Sequence, residues 1–266
     1  MLNTIIHRWL RVPYTLNIYA NRRVKRPKAT VLFLHGIGNS GAAWQEVIDK
    51  LPSDIRIISI DLLGFGKSPR PNHATYNATT QARAVIATLL RARISSRLII
   101  VGHSLGALVS VEVAKRYPLL VKSLVLCSPP FYLGEDNQEA LGRERRLRKL
   151  YKRIQEHPEQ FVKISSLAVK YRLVGKAFSV TTDDVDSYMD TLESSILNQT
   201  ALYDAIEIKK PMTIIHGRFD NYVIKSNLKY VADNNKNVTL RVISAGHELR
   251  LLYIDAVVKE ITTQIK

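Results

Sequence analysis

The sequence predicts an α/β fold with a mostly parallel central sheet, helices on both faces and an inserted all-helical segment. Three observations carry that expectation. Apolar runs of β type alternate with helical spacings from Thr30 to Cys127; only helical spacings occur from Tyr132 to about Asn198; and the alternation resumes at Met212. Parallel strands cannot be joined by tight turns, so a parallel sheet needs a crossover, usually a helix, between successive strands.

Tyr14 to Tyr19 alternates apolar and polar residues and reads as a half-exposed strand, with the basic stretch Arg22 to Lys28 as the turn behind it. Thr30 to Leu34 reads as a buried strand. It ends in the glycine-rich loop His35 to Gly41, before a helix from about Ala42 to Lys50. The next strand, Ile55 to Ile60, runs into Asp61-Leu-Leu-Gly-Phe-Gly-Lys-Ser-Pro69. Asp61 stands at a strand's carboxyl end, but the glycine-rich turn after it suits an acid that binds backbone N–H groups, so a structural role is expected. Thr79 to Ala92 carries Ala82, Val85, Ile86, Leu89 and Leu90 on one helical face. Leu98 to Val101 then leads through Gly102-His-Ser-Leu-Gly106 into a helix, Ala107 to Tyr117, closed by Pro118, and Ser123 to Cys127 is the next strand.

Between these and the resumed alternation, helical spacing recurs at Leu147, Leu150, Tyr151 and Ile154, at Phe161, Ile164 and Leu167, and at Tyr188, Leu192 and Ile196. The expected division is a core of residues 1–130 and 199–266 with a helical cap of residues 131–198 over the sheet's carboxyl edge. Met212 to His216, a helix Ser226 to Asp233, the strand Val238 to Ile243 and a last helix to Lys266 complete the core.

Composition narrows the function classes. The 266 residues suffice for one α/β core with an inserted subdomain. Lys and Arg number 39 against 23 Asp and Glu, a net charge of +16. The excess gathers at Arg22 to Lys28 and at Arg143 to Arg153, where it is read as solvated surface. The second stretch is amphipathic and also compatible with weak association with an anionic membrane surface. Neither has the aromatic interleaving of a nucleic-acid module, and zinc-finger spacing and a Walker glycine loop are absent, so no nucleic-acid partner is expected. Cys127, the sole cysteine, closes an apolar run and reads as a buried small hydrophobe; with no thiolate cluster and no dinucleotide fingerprint, no metal or cofactor is expected. His7, Arg8 and Arg11 interrupt the apolar residues at the N-terminus before a signal-peptide core develops, and no run is long enough to span a bilayer, so the expectation is a soluble cytoplasmic chain.

Gly102-His-Ser104-Leu-Gly106 lies between a strand and a helix. A serine there sits on a sharp turn above the sheet, and the helix that follows aims free N–H groups at any oxyanion formed beside it. Asp220 and His247 stand beyond the carboxyl ends of two later strands, so Ser104, Asp220 and His247 project from the same edge of a parallel sheet, where ligand sites of such sheets lie. The residue types fit acyl transfer. A hydroxyl needs a base near neutral pH, an imidazole can take its proton and return it to a leaving group, and a carboxylate fixes the imidazole tautomer.

With these pieces in order, the chain resembles the α/β-hydrolase fold family. The matching residues are His35-Gly36, Asp61-x-x-Gly64-x-Gly66-x-Ser68, Gly102-His-Ser104-Leu-Gly106, Gly217-x-x-Asp220 and Gly246-His247, spread over nearly all of the core. The resemblance implies Ser104 as nucleophile, His247 as base and Asp220 as orienting acid, with oxyanion donors from the backbone N–H groups of Ile37 and Leu105. Some members carry the acid one strand earlier, but that strand ends here in Cys127-Ser128. Members that use an aspartate nucleophile, such as haloalkane dehalogenases and epoxide hydrolases, do not match the serine of this elbow.

The expected function is therefore a serine hydrolase acting on a small, partly apolar ester, thioester or lactone, or on the carbon–carbon bond of a β-diketone-like substrate. A ligand-binding protein with little turnover and a membrane-associated lipase or acylglycerol hydrolase are the alternatives. His35, His103 and His216 stand beside motif positions and are read as structural or supporting residues, His35 being kept as a candidate contact as well. His35, Phe131, Tyr132 and Tyr171 are candidate substrate contacts, with Phe161 and Tyr188 further cap residues that could line the site.

Overall fold

The strand that ends at the elbow, Leu98–His103, occupies the middle of a seven-stranded sheet and is buried at all six positions. The protein is described here by a computed structural model covering residues 6–7, 12–94, 97–132 and 138–265. The readings at Arg8 and Arg11, and those of the side chains of Arg143 and Leu147, lie outside the described residues. The strands are β1 (Ile18–Arg22), β2 (Thr30–Leu34), β3 (Arg56–Ile60), β4 (Leu98–His103), β5 (Val121–Cys127), β6 (Met212–Gly217) and β7 (Val238–Ile243). Their order across the sheet is β1-β3-β2-β4-β5-β6-β7. Every neighbouring pair is parallel except β1 with β3.

Helices cover both faces, which is why the central strands are apolar at consecutive positions. Their side chains still alternate. Leu32, Leu34, Ile58, Ile60, Ile100, Leu124 and Leu126 join one apolar cluster, while Val31, Phe33, Ile57, Ile99, Val101, Val125 and Cys127 join the other. The first face is covered by Ala78–Arg91 and Leu105–Arg116. The second is covered by Trp44 with the helix Gln45–Lys50, and by Tyr253, Val257 and Ile261 of the last helix, Leu252–Ile265.

The first strand departs from the sequence reading. It spans Ile18–Arg22, not Tyr14 to Tyr19, so Arg22 belongs to the sheet rather than to a turn. Polar groups claim the backbone ahead of it: Leu16 N–H donates to Thr88 Oγ1 at 2.8 Å and Asn17 N–H to Ser68 Oγ at 2.9 Å. With those donors engaged, Tyr14 and Leu16 are buried outside the ladder, and pairing with β3 begins at Ile18.

Between β5 and β6 the described chain is helical. Gln138–Glu156 and Pro158–Lys170 are followed by Val185–Thr191, which continues as a π-helical turn, Leu192–Leu197, and by Ala201–Glu207. The ends of this insertion meet, since Gln199 Nε2 donates to Pro130 O at 2.7 Å. Two of its acidic residues face the core. Asp184 pairs with Arg70 at 2.6 Å, and Asp190 accepts the Tyr76 N–H at 2.9 Å. Among the described residues no helix is long and apolar enough to cross a membrane.

Candidate active site

Ser104 follows β4 with φ 51° and ψ −115°, a conformation that L-residues rarely adopt, and the helix Leu105–Arg116 starts at the next residue. Two glycines permit the turn. A Cβ on Gly106 would lie 2.1 Å from the carbonyl oxygen of Leu34, and one on Gly102 would lie 2.3 Å from that of Gly106. Only bare backbone fits at both crossings. The Ser104 N–H is spent on Cys127 O at 2.9 Å, which pins the turn to β5.

Beyond β6, Asp220 is buried and its carboxylate has several donors. Its Oδ2 accepts from His247 Nδ1 at 2.9 Å, and its Oδ1 accepts the Tyr222 N–H at 2.8 Å. Burial alone would raise its pKa. The hydrogen bond and charge of His247, together with donation from Ser128 and Tyr222, outweigh burial and hold the carboxyl at about 2. Asp220 is therefore an anion throughout the neutral range, and it accepts a proton-bearing Nδ1. That fixes the His247 tautomer with Nε2 as the free basic nitrogen.

Two further contacts steady this pair. His103 Nε2 donates to the His247 carbonyl at 2.9 Å, with the two rings 4.9 Å apart. Burial, with the neighbouring His247, lowers the His103 pKa to about 3, so this ring is a neutral Nε2–H donor. Ser128, held at φ 49° at the end of β5, meets the Tyr253 hydroxyl at 2.9 Å, and that hydroxyl also reaches Ile215 O at 2.8 Å. The Ser128 hydroxyl thus stands between Tyr253 of the last helix and Asp220, with one proton that it can give to either. Sequence reasoning noticed that β5 ends in serine but did not see that this serine supports the acid. Polarity at a strand's carboxyl end was the available signal.

Ser104 and His247 line one cavity of about 300 Å³, together with Ile37 and residues of the helical insertion that include Phe161, Tyr188 and Leu192. Neither the Ser104 hydroxyl nor His247 Nε2 has a hydrogen-bond partner among the described residues. The backbone N–H groups of Ile37 and Leu105 are likewise free among the described residues. Tyr132 lines the cavity and donates through its hydroxyl to Tyr222 O at 3.2 Å.

Three expected substrate contacts lie elsewhere. His35 is fully buried: Leu62 N–H donates to its Nε2 at 2.9 Å, and its Nδ1 donates to Gly36 O at 2.8 Å. Burial first of all keeps its pKa down at about 4, and the neutral ring shapes the loop instead of touching the cavity. Phe131 is packed inside the core because its backbone turns in where Asn227 Nδ2 binds its carbonyl at 2.8 Å. Tyr171 ends the helix Pro158–Lys170 and is 68% exposed, away from the cavity wall. Leu150, Ile164 and Ile196, which do line the cavity, went unassigned because helical spacing alone does not say which apolar face looks inward. Asp61 is structural as expected: it accepts Gly41 N–H at 2.7 Å, Lys67 N–H at 2.9 Å and Asn17 Nδ2 at 2.7 Å.

Comparison with known proteins agrees with this architecture. A family model of the alpha/beta hydrolase fold matches residues 29–251, and the chain belongs to that family. A probable lysophospholipase of Arabidopsis thaliana, BODYGUARD 2, is 34% identical over 113 residues, which are 41% of this chain and 24% of the plant protein. The matched stretch therefore spans about a quarter of that relative's length. An esterase from Thermogutta terrifontis superposes with a TM-score of 0.72 at 17% identity, covering 94% of each chain. A haloalkane dehalogenase from Bradyrhizobium elkani also gives 0.72, at 18% identity, covering 94% of this chain and 97% of the other. An esterase and a dehalogenase fit equally well, so these superpositions identify the fold and leave the chemistry to the residues.

Proposed function

We propose that this α/β-hydrolase family member is a serine hydrolase that cleaves a carboxylic ester with a partly apolar acyl or aromatic group. The observation that carries the reading is the 2.9 Å bond between His247 Nδ1 and Asp220 in a cavity shared with Ser104. In the proposed reaction the Ser104 hydroxyl attacks the substrate carbonyl while His247 Nε2 takes its proton. Asp220 stabilises the resulting imidazolium. The tetrahedral oxyanion is held by the N–H groups of Ile37 and Leu105, and its collapse expels the alcohol, which takes the proton from His247. Water, deprotonated by the same nitrogen, then releases the acid from Ser104.

The elbow residue argues for acyl transfer rather than the halide displacement named for one structural neighbour, since the nucleophile position holds serine. The apolar lining favours substrates whose acyl part is hydrophobic; thioesters, lactones and β-diketones share the same carbonyl chemistry. A fluorophosphonate probe tests the proposal. Stoichiometric labelling at Ser104, absent in Ser104→Ala, is expected, and an unlabelled folded wild type would overturn it.

A further inference from the structure

The cavity opens onto a surface that the folded chain leaves apolar. Ile164, which lines the cavity, is 61% exposed, and Leu173 and Leu251, which line a groove that also contains His247, are 70% and 83% exposed. Leu252 and Tyr222 in the same groove are exposed as well. Scattered exposed leucines are ordinary, but a ring of them around one opening marks a binding surface. Leu251 adds a second observation. Its φ is 45°, so the chain holds a leucine in a left-handed conformation and gains no packing from it. Arg172, at φ 57°, precedes Leu173, and Arg250 Nη1 donates to its carbonyl, tying the insertion to the segment after His247.

Charge says what kind of surface this ring meets. From Arg143 to Lys176 the sequence carries eleven Arg or Lys against three Glu, half of the net +16 of the chain. Two acidic residues further along the insertion are used internally, Asp184 on Arg70 and Asp190 on Tyr76, while Asp183, Asp186 and Glu193 are exposed. Arg172, Lys176 and Arg250 line a further groove that shares His103 and Glu248 with the cavity, and they form no ion pair among the described residues. Glu46 and Glu248 line the same groove, and Glu248 takes the Gly175 N–H at 3.0 Å.

We propose that the mouth of the cavity docks on an anionic lipid surface, with Leu173, Leu251 and Leu252 entering the acyl boundary and Arg172, Lys176 and Arg250 meeting phosphate head groups. A second copy of this chain would bring a like-charged face to the same place, whereas an anionic bilayer supplies both the opposite charge and the apolar layer. An acyl chain could then pass from bilayer to cavity without crossing water. The inference rests on the cavity being the substrate site, so its test reads membrane binding and not turnover.

Ser104→Ala protein would be sedimented with vesicles of phosphatidylcholine alone and of phosphatidylcholine with about one third phosphatidylglycerol, at low and high salt. Partition onto the anionic vesicles at least tenfold above the neutral ones is expected, falling with salt. Leu173→Ser/Leu251→Ser/Leu252→Ser and Arg172→Gln/Lys176→Gln/Arg250→Gln should each lower it at least fivefold while keeping the wild-type circular dichroism and Tm. No binding to the anionic vesicles, or binding that both variants retain, would overturn the proposal. So would equal retention by the serine variant, because that outcome assigns the binding to bulk charge alone. Fluorophosphonate labelling of wild type without vesicle binding sinks only the docking surface; vesicle binding without labelling sinks only the hydrolase.

Discussion

A Cβ on Gly106 would stand 2.1 Å from a backbone oxygen, while one on Gly142, in the helix Gln138–Glu156, would meet nothing within 4 Å. The two glycines belong to two helices, one that follows the Ser104 turn and one that opens the insertion, and each helix or its segment contributes residues to the cavity lining. On the sheet side each chemical group is fixed in place: Ser104 by the left-handed turn, Asp220 by Tyr222 N–H, His247 by the side chains of Asp220 and His103. The cap side consists of amphipathic helices with half-exposed apolar residues, tied to the core by a few polar contacts such as Arg70–Asp184. One wall is built for position and the other for shape. In this reading the sheet wall carries the chemistry and the cap wall the choice of substrate.

The largest expected effect separates the walls by activity. Asp220→Asn should keep the fold and lower kcat by about 10⁴-fold, as expected when the base is left in the wrong tautomer. Ile164→Ala, on the cap wall, should alter kcat/KM by less than about tenfold and act mainly through KM, the loss expected of one hydrophobic contact. Steady-state kinetics on one ester would compare them, and similar losses from both substitutions would erase the distinction.

Next in size is a pH effect that belongs to the sheet wall. Burial holds His35 at about 4 and His103 at about 3, whereas both titrate near 6.5 in the unfolded chain. Below pH 6.5 the unfolded state binds protons that the folded state refuses. Stability is therefore full above 6.5 and falls as pH drops toward 4, by about 1.4 kcal/mol per pH unit for each histidine. Denaturant unfolding at pH 7.5 and 5.0 should differ by roughly 4 kcal/mol from this pair. His103→Asn should lessen the slope, and a flat wild-type profile would contradict the assignment.

The glycine pair ends at the smallest single change, and its effect has opposite sign at the two sites. Gly106→Ala should destabilise by about 3 kcal/mol or more, because backbone lies where the methyl must go. Gly142→Ala should stabilise by about 0.5–1 kcal/mol through helix propensity alone. Paired thermal melts would show it, and a tolerated Gly106→Ala would mean that strand and helix are looser than their spacing indicates.

The same division explains what could be read in advance. Strands Thr30–Leu34 and Val238–Ile243 agree with the sequence reading residue for residue, the first because a buried parallel strand is a short apolar run and the second because a half-exposed edge strand alternates apolar and polar residues. The serine, aspartate and histidine come together because each stands where a strand ends, and strand ends are legible. Contacts made by side chains across the chain were not. Thr88 and Ser68 displaced the first strand, and the hydrogen bonds of Asn227 and Leu62 drew Phe131 and His35 away from the cavity. In the cap, Phe161 and Tyr188 line the cavity as expected and Tyr171 does not, since amphipathic spacing marks an apolar face without saying what it meets.

Cys127, the one thiol of the chain, lies at the end of β5 with no exposed surface and with its pKa raised by burial. It is therefore a chemical clock for the sheet. A thiol reagent can reach it only when the last helix lifts from that face or β5 leaves its neighbours, while the helices between Gln138 and Leu197 can part from the core without presenting a thiol. Labelling rates in increasing denaturant would time the opening of the sheet separately from loss of cap helicity, on the natural sequence and with no probe introduced.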